Sequence, residues 1–152
     1  MTTVIAVEHY AGLIEDLKPL LVEHHDELAL YKDEIPLAPD YPMYQKLDEM
    51  GLIRAYTVRL GGALIGYATF TVLARHLHYD HRWAINDVLF IHPLHRNFGI
   101  GSELCDVFEE DLRRDGPIVI HIETKEFSPE LAMLLRHRGY GIVGASLSKR
   151  FA

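Results

Sequence analysis

The sequence predicts an α+β chain with a mixed, largely antiparallel sheet and helices on both faces. Two runs, LIRAYTVRL and ALIGYATFTVL, flank Gly61-Gly62 and form a strong hairpin signal. Both runs carry apolar residues on both faces, which predicts a sheet covered on both sides. A third strand, WAINDVLFIH, precedes a helical stripe of Ile100, Leu104, Val107, Phe108 and Leu112, and then the strand IVIHIET. That order predicts one parallel crossover between Ile85 and Thr124.

The remaining elements follow in chain order. Thr3 to His9 reads as a first strand. Leu13, Ile14, Leu17, Leu20, Leu21 and Leu28 recur at helical spacing, with Pro19 a kink or restart. IPLAPDYP, with Pro36, Pro39 and Pro42, reads as a loop, a mobile lid in a functional reading. A short helix from Tyr44 to Met50 is stopped by Gly51. HLHYDHR is a polar connector, and Gly116-Pro117 ends the long helix. Ser128 is the expected N-cap of a last helix, with Pro129 at its first position and Gly139 after it. YGIVGASLSKRF reads as a last strand. The order β-α-α-β-β-β-α-β-α-β makes six strands and four helices.

The chain has 152 residues, enough for one domain over 1–152. With 49% hydrophobic and 24% charged residues it falls among soluble globular proteins. No apolar run approaches the roughly 20 residues that span a bilayer, and MTTVIAVEHY lacks the pattern of a signal peptide. The one cysteine, Cys105, excludes an intrachain disulfide and suits the cytoplasm. A net charge of -7 argues against nonspecific nucleic-acid binding.

Against that charge, HPLHRNFGIGSELC places an arginine and two glycines at a strand-to-helix junction. Gly99 and Gly101 let the backbone approach a ligand. The amides of Asn97 to Ser102 then point outward at a helix N-terminus, where the dipole favours an anion. Arg96 adds positive charge and Ser102 a hydroxyl. No Lys-Ser/Thr pair follows, as a triphosphate loop requires, and the first glycine of a dinucleotide fingerprint is missing. Taken alone, two glycines better describe a turn that only joins strand to helix.

RNFGIG matches the Arg/Gln-x-x-Gly-x-Gly/Ala signature of the GNAT superfamily of acyl-CoA-dependent N-acetyltransferases, and the chain resembles that family over nearly its whole length. The ending RHRGYGIVG and the element order resemble it too, most weakly over residues 1–50. NDVLFIHPLHRNFGIGSEL is similar to polyamine-type members and to GNAT proteins of tailed bacteriophages. The resemblance implies a sheet of six to seven strands flanked by about four helices, and acetyl-CoA as co-substrate. It implies that backbone at Arg96, Asn97, Phe98, Gly99, Ile100, Gly101 and Ser102 holds the pyrophosphate. It also implies that Leu89, Phe90 and Ile91 pair with the pantetheine arm as an added strand would. A strand bulge beside the thioester supplies an amide to polarise its carbonyl. No resident metal is implied, and a homodimer is admitted.

Acetyl transfer to an amine requires removal of a proton from an ammonium. Asp87 stands where polyamine-type relatives carry a strand carboxylate proposed as the base. His121 and Glu123 share one face of the neighbouring strand and are further candidates. For each, an ordinary surface carboxylate or imidazole is the competing reading. Many members carry a tyrosine, the proposed acid, four residues before the closing glycine. Here that glycine is Gly139, the position is Leu135, and leucine donates no proton. Either the acidic CoA thiol leaves without an enzyme acid, a water or another tyrosine supplies the proton, or catalysis is weak.

The acceptor is expected to be an amine-bearing small molecule or a protein lysine or N-terminus. Glu23, Asp26, Glu27, Asp33 and Glu34 describe either an acidic mouth for a polyamine or aminoglycoside, or a solvated helix face. His76, His78 and His81 match no zinc pattern and form either a polar loop or a lining of the acceptor site. A binding module without turnover is the alternative to an enzyme.

Overall fold

A computed structural model describes residues 2–152. Strands β1 (Thr3–Glu8), β2 (Ile53–Leu60), β3 (Ala63–Leu73), β4 (Arg82–Ile91) and β5 (Ile118–His121) form one five-stranded sheet in the order β1-β2-β3-β4-β5. The first four pair antiparallel, and β5 joins β4 in parallel. The helices are α1 (Ile14–Leu28), α2 (Tyr41–Glu49), α3 (Ile100–Arg113) and α4 (Glu130–His137). α3 is the expected crossover from β4 to β5.

The double covering predicted from the hairpin holds. On one face Tyr56, Val58, Phe70 and Ala84 pack with Leu104, Phe108 and Leu112 of α3 and Leu135 of α4. On the other, Ala55, Tyr67 and Phe90 pack with Tyr10, Leu13, Leu17 and Leu20. Alternation along β2 and β3 sends successive side chains to the two faces, so the strands read as continuous apolar runs.

Several expectations need correction. The sheet has five strands, not six to seven, because 138–152 forms no strand. Ile142, Val143, Leu147 and Phe151 are exposed in that segment, so its alternating pattern has no partner strand to satisfy it. β5 ends at His121 rather than Thr124. α1 runs unbroken through Pro19. α2 begins earlier than Tyr44, because the Asp40 carboxylate accepts the Met43 amide at 3.0 Å and Pro42 sits in the first turn. Ser128 does not cap α4; its hydroxyl donates to Glu130 Oε2 at 3.2 Å.

Candidate functional site

β4 and β5 part company midway. Their ladder runs from Arg82↔Ile118 to Ile85↔His121 and stops, while β4 continues to Ile91. The His92 amide donates to the Ile65 carbonyl at 2.8 Å, and pleat alternation then turns Phe90 and Val88 toward β3. Leu89 therefore presents its backbone to the opened edge and Ile91 its amide, the Ile91 carbonyl accepting from Arg96 Nε at 2.8 Å. Phe90 does not: its backbone belongs to the β3 ladder and its ring to the core, where His24 stacks on it at 4.8 Å. Of the three predicted pantetheine-pairing residues, the two flanking ones suit the role.

At the end of β4 the chain makes a 3-10 turn, Pro93–His95, and enters α3. Asn97 (φ 69°) and Gly99 (φ 80°) are left-handed, which turns successive amides to one side. Among the described residues, no amide from Asn97 to Ser102 donates to another backbone carbonyl, and Glu103 is the first to do so, to Gly99 at 3.1 Å. Gly101 serves packing: a Cβ there would stand 3.3 Å from Leu134 Cδ2 and 3.7 Å from Ile91 Cδ1. Arg138 donates to Ser102 Oγ at 3.0 Å and to Glu109 and Asp106 at 2.6 Å, bracing the start of α3.

Arg96 departs from expectation. Its amide is taken by Pro93 O at 3.3 Å, so it lies outside the free row. Its guanidinium grips Glu27 of α1 through two bonds, 2.6 and 2.8 Å, and its Nε donates to Ile91 O at 2.8 Å. The arginine neighbour holds the Glu27 carboxyl below its ordinary range. Arg96 thus ties α1 to the end of β4, and a carboxylate already balances its charge. His92 is similarly used, within 3.0 Å of Glu23 and accepting the Leu94 amide at 3.2 Å.

Asp87 lies at a bulge. Thr69 pairs with Val88 and Phe70 with Asn86, so Asp87 drops out of the ladder. The bulge shifts the strand's phase: Ala84 faces the α3 core, and beyond it Leu89 and Ile91 do. The Asn86 side-chain amide staples it, donating to Thr69 O at 3.0 Å and Val88 O at 2.9 Å. Tyr44 Oη and Thr69 Oγ1 both donate to Asp87 Oδ2. Tyr44, Thr69 and Val88 also line a cleft of about 430 Å³ between α1, the 29–40 loop, α2 and β3. IPLAPDYP, Ile35 to Pro42, contributes Ile35 to Asp40 to that cleft.

The sequence reading missed Tyr44, Tyr67 and His24. Tyr67, also in the cleft wall, lies 2.8 Å from His24 Nδ1. Burial lowers His24 to about 4, and the Tyr44 and Tyr67 phenols are raised, mainly by burial. Nothing local in the His24-His25 pair says that one ring turns inward. His121 and Glu123 are not drawn to Asp87 by any hydrogen bond. His121 is exposed at the end of β5, and Glu123 pairs with Lys125 at 3.3 Å. His76, His78 and Tyr79 cluster with Trp83 and do not line the cleft. Among the described residues no group of His, Cys, Asp or Glu could hold a metal, and no helix is long and apolar enough to cross a membrane.

The decisive comparison is with protein-family models. Residues 18–140 match the model described as the acetyltransferase (GNAT) family. The chain belongs to the GNAT family of acetyltransferases. No curated protein sequence matches it. Solved GNAT-like structures share its fold at low identity. The ribosomal-protein-alanine N-acetyltransferase of Brucella melitensis biovar Abortus 2308 is 20% identical with a TM-score of 0.71, covering 99% of this chain and 100% of its own. An aminoglycoside acetyltransferase from an uncultured soil metagenomic sample, complexed with sisomicin, is 15% identical with a TM-score of 0.70, over 99% and 95%. AAC(6')-Iy, complexed with the bisubstrate analogue CoA-S-monomethyl-acetylneamine, is 12% identical with a TM-score of 0.70, over 100% and 99%.

The GNAT family uses acetyl-CoA, and the residues present fit it. The amides of Asn97 to Ser102 suit a pyrophosphate, with open space where a Cβ on Gly99 would stand. The edge of Leu89 and Ile91 suits an extended amide-bearing arm.

Proposed function

We propose that this GNAT chain is an acetyl-CoA-dependent N-acetyltransferase, moving an acetyl group to a primary amine by direct attack in a ternary complex. The observation that carries this reading is the row of unclaimed amides, Asn97 to Ser102, just past the end of the β4 edge that β5 leaves unpaired. When bound, acetyl-CoA supplies the thioester carbonyl and a leaving thiolate. The amides hold its phosphates, and Leu89 and Ile91 align its arm with the strand edge. The bulge at Asp87 leaves backbone outside the ladder, in position for carbonyl polarisation. Both hydroxyl donors to Asp87 reach Oδ2, which leaves Oδ1 to accept from an ammonium. Apolar cleft walls desolvate that ammonium, lower its pKa and ease proton transfer to Asp87. Asp87 has this role in preference to His121 and Glu123, which no hydrogen bond ties to the cleft wall. The reducing cytoplasm suits the lone, buried Cys105.

Isothermal titration with acetyl-CoA tests the cradle: saturable binding is expected, and no heat at high micromolar ligand sinks the reading. One observation favours a second reading, a CoA- or protein-binding module without turnover. Leu135, where relatives carry the acid, is only 4% exposed and belongs to the core. Thiol release with a panel of amines separates the two, since a module releases none.

A further inference from the structure

Acid that the sequence places near the acceptor site is spent elsewhere. Glu23 pairs with His92, Glu27 with Arg96, and Glu34 with Arg150 at 2.7 Å. None of these three, nor Asp26 or Asp33, lines the cleft. Its walls are instead Leu17, Leu21, Leu30, Ile35, Leu37 and Val88, with Tyr10 stacked flat on Tyr44 at 4.5 Å and 10°. Leu30, Ile35 and Leu37 remain 49%, 48% and 38% exposed around the mouth, large apolar groups turned to water. Such a contiguous patch marks a binding surface for something apolar. The carboxylates at hand are Asp40, in the lining beside His25 and already accepting the Met43 amide, and Asp87, which stands outside the lining but accepts from two residues of it, Tyr44 and Thr69.

We infer that the acceptor is an amine carried on an aryl or alkyl body, entering amine first toward Asp87. This rests on the acetyltransferase reading of the same site. With Asp40 committed to the first turn of α2, Asp87 is left to match one ammonium. A polyamine or aminoglycoside would leave its other charges against aliphatic walls, and an unpaired charge in such surroundings is costly. The aliphatic walls and the Tyr10–Tyr44 plate take the organic body, as aromatic faces take rings.

The test is calorimetric titration of the protein, alone and saturated with CoA, with tryptamine, hexylamine, spermidine and kanamycin. Tryptamine or hexylamine is expected to bind at least tenfold tighter than either polycation. Ala38→Trp, which places a ring in the cleft from an exposed loop position, should weaken tryptamine at least tenfold with acetyl-CoA affinity unchanged. If that variant fails to fold, Leu37→Ser serves the same purpose with the same expectation. Equal or tighter binding of spermidine or kanamycin overturns the inference, as does no binding of either apolar amine, or unchanged tryptamine affinity in the folded variant. Acetyl-CoA is titrated separately. Its failure to bind would overturn the acetyltransferase reading, while the amine titrations decide the preference of the cleft.

Discussion

Burial lowers His24 to about 4, whereas the same imidazole in an unfolded chain titrates near 6.5. Between those values the unfolded chain binds a proton that the native chain refuses. Stability is therefore full above about pH 6.5 and falls as pH drops toward 4, by up to about 3 kcal/mol. Glu27 and Glu8, held low by Arg96 and Arg59, act in a lower window and lose their contribution only as pH falls below about 4.5. Urea unfolding at pH 7.5 and 5.0 should show the loss, and His24→Phe should flatten it while keeping a ring against Phe90. At Asp87, replacement by asparagine should lower kcat by about 10² to 10⁴ with acetyl-CoA affinity unchanged; steady thiol release at the original rate would remove Asp87 from the chemistry. Asp87 was legible because it sits in a recognisable motif. Its partners Tyr44 and Thr69 were not, because they come from α2 and β3 and meet it only across the fold.

Two glycines shape the strand-to-helix element. Gly99 has open space around it but φ of 80°, so Gly99→Ala should cost about 1 kcal/mol through backbone strain alone. Gly101→Val meets Leu134 and Ile91 and should cost about 1–3 kcal/mol through overpacking, while also weakening acetyl-CoA. Thermal unfolding and titration check both. Arg96 offers a sharper distinction. As a clamp between α1 and β4, it should be weakened alike by Arg96→Ala and Glu27→Gln, each loosening acetyl-CoA several-fold. If its charge instead met the phosphates directly, Glu27→Gln would tighten binding by freeing it. Local pattern made this element readable: a strand period, a proline, two glycines and a helical stripe lie in sequence. The pairing of Arg96 with Glu27 spans 69 residues, and periodicity is silent on it.

Residues 141–152 are exposed throughout and held by little beyond Tyr31 Oη to Ser148 Oγ at 3.0 Å and Arg150 to Glu34. Exposed contacts of this kind contribute about 0–1 kcal/mol each. Deleting 141–152 should therefore move Tm by only a few degrees; a large fall in a melting scan would mean that the segment pairs as the strand its pattern suggests. That pattern alone carried the sixth strand, and alternation states only what a segment suits, not whether an edge receives it. Composition, periodicity and the RNFGIG turn were enough for the fold class, the crossover and the amide cradle, because each depends on neighbours in sequence. The tertiary structure alone decided the neutralised acid of α1, the buried His24–Tyr67 pair, the tyrosine over Asp87 and the apolar cleft. Those depend on which side chains from distant elements meet, and on how far burial then moves their charges.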